Sequence, residues 1–85
     1  MDAEGTVAFY GARLRAAQKG VEIVSVGQGK MADAGAKEGG IILFVNGDAV
    51  AKPSEVVAKA KKGARAVYIE GIDANGKTFY LAFGK

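Results

Sequence analysis

Glycine divides this sequence into short apolar runs, and that spacing constrains the fold more than any other feature. The chain has 13 glycines and one proline among 85 residues, about twice the usual glycine share. Because glycine adopts positive φ without steric cost, each boundary predicts a tight reversal. A chain of this length supports one small hydrophobic core. We therefore predict a disordered lead-in at residues 1–5 and a single domain at residues 6–85.

Most of the apolar runs predict β-strands. The runs before and after Gly11 and Ala12 have opposite apolar phase, so this point is predicted to be a bulge or a loop. Residues 41–45 are continuously apolar and end at an Asn-Gly-Asp turn, which predicts a central strand covered on both faces. The predicted strands are residues 6–9, 13–16, 21–26, 41–45, 66–72 and 77–83.

Two segments predict helices. Residues 31–38 are rich in alanine but interrupted by Gly35, which allows one or two turns at most. Residues 52–62 begin with Pro53, carry Glu55 in the first turn and stop at Gly63, the pattern of a well-delimited helix. Together these elements predict a small antiparallel α+β domain with two helices and five or six strands.

The absence of two residue types excludes much chemistry. The chain has no cysteine and no histidine, which rules out thiol nucleophiles, disulfides, zinc ribbons and a Ser-His-Asp triad within it. No serine, lysine or acidic pair has a spacing that singles it out for catalysis. We therefore expect no enzyme activity, no cofactor and no metal in this chain. Its apolar runs of about five residues are far shorter than the ~20 of a membrane helix, so no membrane insertion is expected.

The positive charge is concentrated in one place. The net charge is +3, and the bases cluster at Lys59, Lys61, Lys62 and Arg65. Such a cluster is typical of the last turn of a helix, where it complements the negative end of the dipole. The alternative is a free-standing small basic domain that binds nucleic acid through this cluster. Because the acidic residues are spread along the whole chain, we expect no nucleic-acid partner.

Residues 71–78, GIDANGKT, match the phosphate-loop pattern GxxxxGK[ST]. A working phosphate loop opens a helix whose amides face the phosphates, whereas Thr78 leads into the strand-like run 79–83. Asp73 also places a negative charge in the loop. We predict a hairpin turn with an Asn-Gly reversal here, and no nucleotide site.

Three consecutive segments carry a family resemblance: GVEIVSV at residues 20–26, GKMADAGAKEGG at 29–40 and IILFVNGDAV at 41–50. They resemble the PDZ domains of HtrA (Deg) serine proteases, with a GV-x-V strand, a short SPA-x-x-AG-L helix and G-D-x-I-x-x-V-NG. The likeness covers about residues 9–85. The ending looks most like the second, C-terminal PDZ domain of periplasmic members from Bacteroidetes-type bacteria. Gly29-Lys30 stands where the family has Ser-Pro, and Gly40 where it has Asp.

This resemblance implies a PDZ-like fold: a five- to six-stranded, partly open antiparallel β-barrel or sandwich with two helices and the permuted strand order of bacterial PDZ domains. It implies a peptide-recognition module of a periplasmic HtrA-like serine endopeptidase whose catalytic domain lies outside this chain. The partners would be unfolded or C-terminal peptide segments, bound by β-strand addition. Alternatively, the module regulates or assembles the protease through other PDZ or protease domains of the oligomer.

The resemblance also implies the peptide-binding residues. The carboxylate loop would be Tyr10, Gly11 and Ala12, and the docking edge would be residues 13–16. Arg13 or Arg15 would attract the peptide carboxylate. The predicted peptide-binding set is Tyr10, Gly11, Ala12, Arg13, Leu14, Val56, Val57 and Ala60. The last three form the helix wall of the groove. Each has a structural alternative: a simple bulge at Gly11, a solvated face for the arginines, and core packing for the valines.

Overall fold

The computed structural model describes residues 6–62 and 65–84. The predicted lead-in at residues 1–5 and the predicted helix stop at Gly63 lie outside the described residues. The helices are α1 (Lys30–Asp33) and α2 (Pro53–Lys62). The strands are β1 (Val7–Phe9), β2 (Ala12–Ala17), β3 (Gly20–Val26), β4 (Ile41–Val45), β5 (Asp48–Ala49), β6 (Ala66–Ile72) and β7 (Thr78–Gly84).

The strands form one antiparallel sheet in the order β1-β2-β3-β4-β6-β7, with β5 paired to β4. The α+β class, the antiparallel sheet and the two helices are confirmed. The described chain has seven strands instead of five or six, because the two-residue β5 is too short to show any periodicity in sequence. β1 and β7 are the two ends of this sheet order.

The phase change near Gly11 is a hairpin turn. Phe9 pairs with Ala12, which leaves Tyr10 and Gly11 as a two-residue loop with φ of 49° and 91°. Two successive positive φ values define the type I′ turn, whose twist matches that of the flanking strands. A separate bulge shifts the β2–β3 register between Arg13 and Leu14. The predicted loop is therefore present, and the bulge lies further along the sheet.

Helix α1 is one turn long because Gly35 ends it. Gly35 has φ of 99°, its amide donates to the Ala32 carbonyl, and the Ala36 amide donates to the Met31 carbonyl, both at 3.0 Å. This pair of bonds around a left-handed glycine is the Schellman motif. The prediction of one or two turns interrupted by Gly35 is confirmed, with the helix confined to the first half of the predicted segment. Met31 is fully buried and fixes the turn to the core.

The core lies between one face of the curved sheet and helix α2. Its fully buried side chains come from the strands and from both helices: Leu14, Val21, Ile23, Met31, Ile42, Val45, Val56 and Val67. β4 lies inside the sheet order, as predicted for a central strand. The expectation that both of its faces are covered is wrong, because the side chain of Phe44 is 38% exposed.

The phosphate-loop match at residues 71–78 spans the β6–β7 hairpin. Gly71 lies inside β6, and Thr78 begins β7 opposite Ile72. The Asp73 carboxylate accepts hydrogen bonds from the amides of Asn75 and Lys77, at 2.8 and 2.9 Å. Asp73 therefore stabilises the turn, and no helix follows to bind a phosphate.

Helix α2 begins with a side-chain cap. Glu55 Oε1 accepts hydrogen bonds from the amides of Ala51 at 2.7 Å and Lys52 at 3.1 Å, the return half of a capping box. These bonds, first the one from Ala51 and then the one from Lys52, lower the pKa of Glu55 below its ordinary value of 4.5. Glu55, which the sequence placed in the first turn of the helix, therefore caps the start of α2.

We expect the Glu55 cap to contribute to the acid sensitivity of the fold. A carboxylate with a lowered folded-state pKa stabilises the protein above its unfolded-state pKa, and this contribution is lost as the pH falls through the folded-state value. Glu55→Gln should therefore be less stable than the parent at about pH 6, with a difference that shrinks towards about pH 3. Urea unfolding across this range measures it. Glu38→Gln, at an exposed loop position, is the control, and an equal pH response in both variants would contradict the role of the cap.

Candidate functional site

Strand β1 lies along the edge of β2 and against helix α2. It pairs antiparallel with β2 through Val7↔Leu14, Ala8↔Arg13 and Phe9↔Ala12, while the opposite edge of β2 pairs with β3. Between β1 and α2 is a small open cleft of about 220 Å³, lined by Ala8, Phe9, Tyr10, Val57, Ala60 and Lys61. We call this region, β1 with the facing parts of β2 and α2, the β2–α2 groove.

The side chains of β1 alternate between the core and the solvent. Phe9 is 5% exposed and Val7 is half-buried, whereas Ala8 between them is exposed. The Phe9 ring meets the Tyr10 ring edge to face at a centroid distance of 4.8 Å, and Tyr10 meets Phe83 in the same way at 4.9 Å. These aromatic contacts join the end of β1 to the end of β7.

Two glycines allow the β1–β2 turn to approach the loop before α1. A Cβ at Gly11 would overlap the carbonyl oxygen of Gln28, and a Cβ at Gly29 would overlap that of Tyr10. Across this contact the Gly11 carbonyl accepts from the Gly27 amide at 2.8 Å, and the Tyr10 carbonyl accepts from the Met31 amide at 3.2 Å. The turn predicted to form a carboxylate loop is thus held by its carbonyl groups against the start of α1.

The structure brings several of the predicted peptide-binding residues together. Tyr10 and Gly11 are exposed at the turn. Val57 and Ala60 line the cleft together with Tyr10, although Ala60 is only 2% exposed and belongs mainly to the core. Leu14 and Val56 are fully buried, so they pack in the core and their side chains do not line the cleft. Ala12, at the start of β2, is also buried.

The predicted docking edge needs correction. Residues 13–16 were expected to offer an open edge, but Arg13 and Leu14 are already paired with β1. The arginines are also engaged. Arg13 Nη1 donates to Thr6 Oγ1 at 3.4 Å, and Arg15 forms an ion pair with Glu22 at 2.7 Å. The expectation missed this pairing because strand phase predicts which residues are apolar and does not predict which strand pairs with which.

Three members of the basic cluster, Lys59, Lys61 and Lys62, lie on the last turn of α2 as predicted for a helix end, and Arg65 lies beyond the helix, directly before β6. The Lys59 ammonium lies 3.5 Å from Asp48 Oδ2, and the Lys59 carbonyl accepts a hydrogen bond from Asn46 Nδ2 at 3.0 Å. One of its cations is thus compensated by an acid from β5. This arrangement favours the structural interpretation of the cluster over a nucleic-acid interface.

A second exposed surface lies on the outer face of the sheet, away from α2. It carries Phe44, Tyr68 and Tyr80, which are 38%, 62% and 73% exposed, around the side chain of Glu70. Sequence analysis assigned no role to these residues. The alternation along β6 could have predicted this surface, because Tyr68 and Glu70 alternate with the buried Val67 and Ile69 and must therefore point to the opposite face of the sheet.

Comparisons with protein-family models, curated proteins and solved structures found no match for this chain. Its class is therefore stated from the fold: a small antiparallel α+β domain with a strand-lined groove beside a helix. Neither helix within residues 6–62 and 65–84 has the length and hydropathy of a membrane span. In the same residues, no group of three or more acidic side chains is placed to hold a metal ion.

Proposed function

We propose that this chain is a peptide-recognition module of the PDZ type, which binds C-terminal or extended segments of other proteins by β-strand addition in the β2–α2 groove. The observation that carries the proposal is the position of β1. It runs antiparallel to β2, turns alternate side chains inward and ends with Phe9 buried beside the glycine turn. An extended peptide added to β2 would adopt the same arrangement, since strand addition uses main-chain pairing for affinity and alternate side-chain pockets for specificity.

In this proposal β1 acts as an internal competitor of the peptide. It is only three residues long, so few ladder hydrogen bonds hold it, each contributing about 1 kcal/mol. A peptide with apolar residues at alternate positions would replace Val7 and Phe9 in the groove. The measured affinity would then be the intrinsic affinity reduced by the fraction of molecules in which β1 has left β2.

The strand arrangement also supports a permuted PDZ topology. β7 is the last strand, pairs with β6 and approaches the β1–β2 turn through Phe83, while Lys30 Nζ donates to the Gly84 carbonyl at 2.5 Å. The sheet is thereby drawn towards a partly closed barrel by side-chain contacts at its two ends. The likeness to HtrA proteases extends the proposal to a periplasmic serine protease as the parent and to its substrates or neighbouring domains as partners.

We expect a peptide that ends in Val-Ala-Phe with a free carboxylate to shift the backbone amide resonances of residues 10–17 and 57–60 in an NMR titration. Amidation of the peptide should weaken binding, because the turn would no longer receive a carboxylate. Val7→Pro should tighten binding by about tenfold, since proline cannot donate to the β1–β2 ladder and releases the competitor.

Ala74→Pro is the matched control, because Ala74 is exposed at the second position of the β6–β7 turn, where proline is favoured. It should bind like the parent. If neither the parent nor Val7→Pro shows saturable shifts with any such peptide, peptide recognition in this groove is wrong and the assembly role replaces it. Shifts confined to the lysines of α2 on addition of DNA, and weakened by salt, would instead favour the nucleic-acid alternative.

A further inference from the structure

The outer face of the sheet carries three aromatic side chains around one carboxylate. Phe44 on β4 pairs directly with Glu70 on β6, and Glu70 pairs directly with Tyr80 on β7. Directly paired residues of an antiparallel ladder project from the same face, so the three side chains form a row. Tyr68 lies two residues from Glu70 on β6 and therefore shares this face. We call these four residues the aromatic–Glu70 pocket.

The pocket is a real depression in the surface. The four side chains line a cavity of about 460 Å³ together with Gly47, Ile69, Leu81 and Ala82. The two tyrosines are mostly exposed, so they are not part of the core on the other face. Tyrosines placed side by side on a solvated sheet face are more typical of a binding surface than of packing, because they present apolar rings and free hydroxyl groups together.

Glu70 lacks a cation in the described chain. Within residues 6–62 and 65–84, the ion pairs join Arg15 to Glu22 and Lys59 to Asp48, and no lysine or arginine lies within ion-pair distance of Glu70. Its side chain is half-buried, and its position in the sheet lies between those of Phe44 and Tyr80. A carboxylate in this position attracts a cation, and ring faces attract the same cation through their quadrupoles.

We propose that the aromatic–Glu70 pocket binds an arginine side chain from an extended segment of a partner protein. The planar guanidinium group suits it better than other cations, because it stacks on aromatic rings while its fork of donors pairs with a carboxylate. The charges are complementary within the pocket, because Glu70 is the one charged residue among the described residues that line it, on a chain whose overall net charge is +3. The same positive charge opposes occupation by a second copy of this chain.

The neighbouring strand edge provides a place for the main chain of the partner. Within the described residues β7 pairs only with β6, and its seven residues, Thr78–Gly84, include no charged side chain. Edge strands are usually protected by charges, proline or a covering element. In β7 the C-terminal end is contacted by Tyr10 at Phe83 and by Lys30 at the Gly84 carbonyl, so an added segment would pair with the part of the strand around Tyr80. A segment added to β7 would lie about 10 Å from β6, two strand spacings away, and an arginine side chain spans most of that distance over Tyr80 to Glu70.

This pocket is separate from the β2–α2 groove, and the two are tested with different probes. The probe is the blocked peptide acetyl-Thr-Val-Arg-Val-Thr-amide, which has no free carboxylate, and its control carries citrulline, the uncharged isostere of arginine. In an NMR titration we expect saturable shifts at residues 44, 68, 70 and 78–84. The citrulline peptide should bind at least about fivefold more weakly, because it keeps the shape and loses the charge.

Glu70→Gln and Tyr80→Thr should each weaken binding of the arginine peptide by about five- to tenfold. Both changes are at exposed or half-exposed positions and both keep side chains that strands accept, so far-UV circular dichroism should match the parent. Glu38→Gln makes the same charge change in a loop and should leave the affinity unchanged.

Equal binding of the arginine and citrulline peptides would overturn the proposal, as would unchanged affinity in Glu70→Gln. Shifts confined to residues 10–17 would also overturn it, because the peptide would then occupy the β2–α2 groove. Sedimentation of the chain alone tests whether a second copy of the chain occupies the pocket. A dimer whose formation shifts the amide resonances of residues 68 and 80 would overturn the proposal, because the second copy would then cover the pocket.

Discussion

Replacing Gly71 with alanine is expected to lower the free energy of unfolding by about 3 kcal/mol. Gly71 is buried near the C-terminal end of β6 and pairs with Ile42 on β4. An added Cβ would overlap the Ile41 carbonyl oxygen and lie 2.9 Å from Cζ of Phe79. Because the closest atom belongs to the backbone, the clash requires β4 and β6 to separate at the centre of the sheet.

Such a loss is large for a chain of this size, whose total stability is expected to be roughly 4–13 kcal/mol at 0.05–0.15 kcal/mol per residue. The midpoint of thermal unfolding should fall by about 10–20 °C. The matched control is Gly84→Ala on β7, where the nearest atom to an added Cβ is 4.0 Å away. Thermal unfolding followed by circular dichroism measures both variants. If Gly71→Ala and Gly84→Ala have equal midpoints, the close contact between β4 and β6 does not require glycine at position 71.

Asn46→Ala is expected to cost about 2–3 kcal/mol, the second largest effect. Asn46 occupies the turn between β4 and β5 with φ of 52°, where alanine is disfavoured by about 1 kcal/mol. Its side chain also joins two other elements: Oδ1 accepts from the Tyr68 amide at 2.8 Å, and Nδ2 donates to the Lys59 carbonyl at 3.0 Å. The substitution removes both bonds and frees the end of α2 from the sheet.

Asn46→Gly separates the two contributions, because glycine accepts the positive φ and lacks the side chain. We expect Asn46→Gly to be less stable than the parent by about 1–2 kcal/mol, because the two hydrogen bonds are lost. It should avoid the further destabilisation that the positive φ causes in Asn46→Ala. Urea unfolding gives both values. If glycine restores parent stability completely, the side-chain bonds contribute nothing and the role of Asn46 is conformational only.

The hydrogen bonds of Asn46 also help to position one wall of the β2–α2 groove. Asn46 fixes the C-terminal end of α2, and this end carries Ala60 and Lys61 on the cleft opposite β1. The two proposed binding regions therefore depend on different supports: the groove on the position of α2 against the sheet, and the aromatic–Glu70 pocket on the register of β4, β6 and β7. A variant at Gly71 tests the strand register beneath the pocket, whereas a variant at Asn46 disturbs both regions, because Asn46 Oδ1 also accepts the hydrogen bond from the Tyr68 amide.

Sequence pattern predicted the elements well and their pairing poorly. The hairpin at Gly11 and the turns at Asn46 and Asp73 follow from local chemistry, since positive φ and short polar side chains leave clear signals. The expectation of an open edge at Arg13 is wrong, because β1 folds back onto β2 through a two-residue hairpin and pairs with Arg13 and Leu14. The strand predicted at residues 6–9 is confirmed as β1, whereas its pairing with β2 was not predicted.

The two candidate sites differ in how far the sequence could predict them. The groove was anticipated from a family resemblance, while the aromatic–Glu70 pocket depends on the registers Phe44↔Glu70 and Glu70↔Tyr80. Each side chain alone is an ordinary exposed residue of a strand. Only the pairing of three strands across the sheet places the rings around the carboxylate.

The sequence by itself determined the class of fold, the two helices, the turns and the absence of cysteine and histidine chemistry, because each depends on residue type and short-range spacing. The tertiary structure decided that Leu14 and Val56 belong to the core, and that Glu70 shares one face of the sheet with three aromatic side chains. These features depend on which surfaces meet when the sheet closes over α2. That choice reflects the summed burial of distant side chains, which no local pattern encodes.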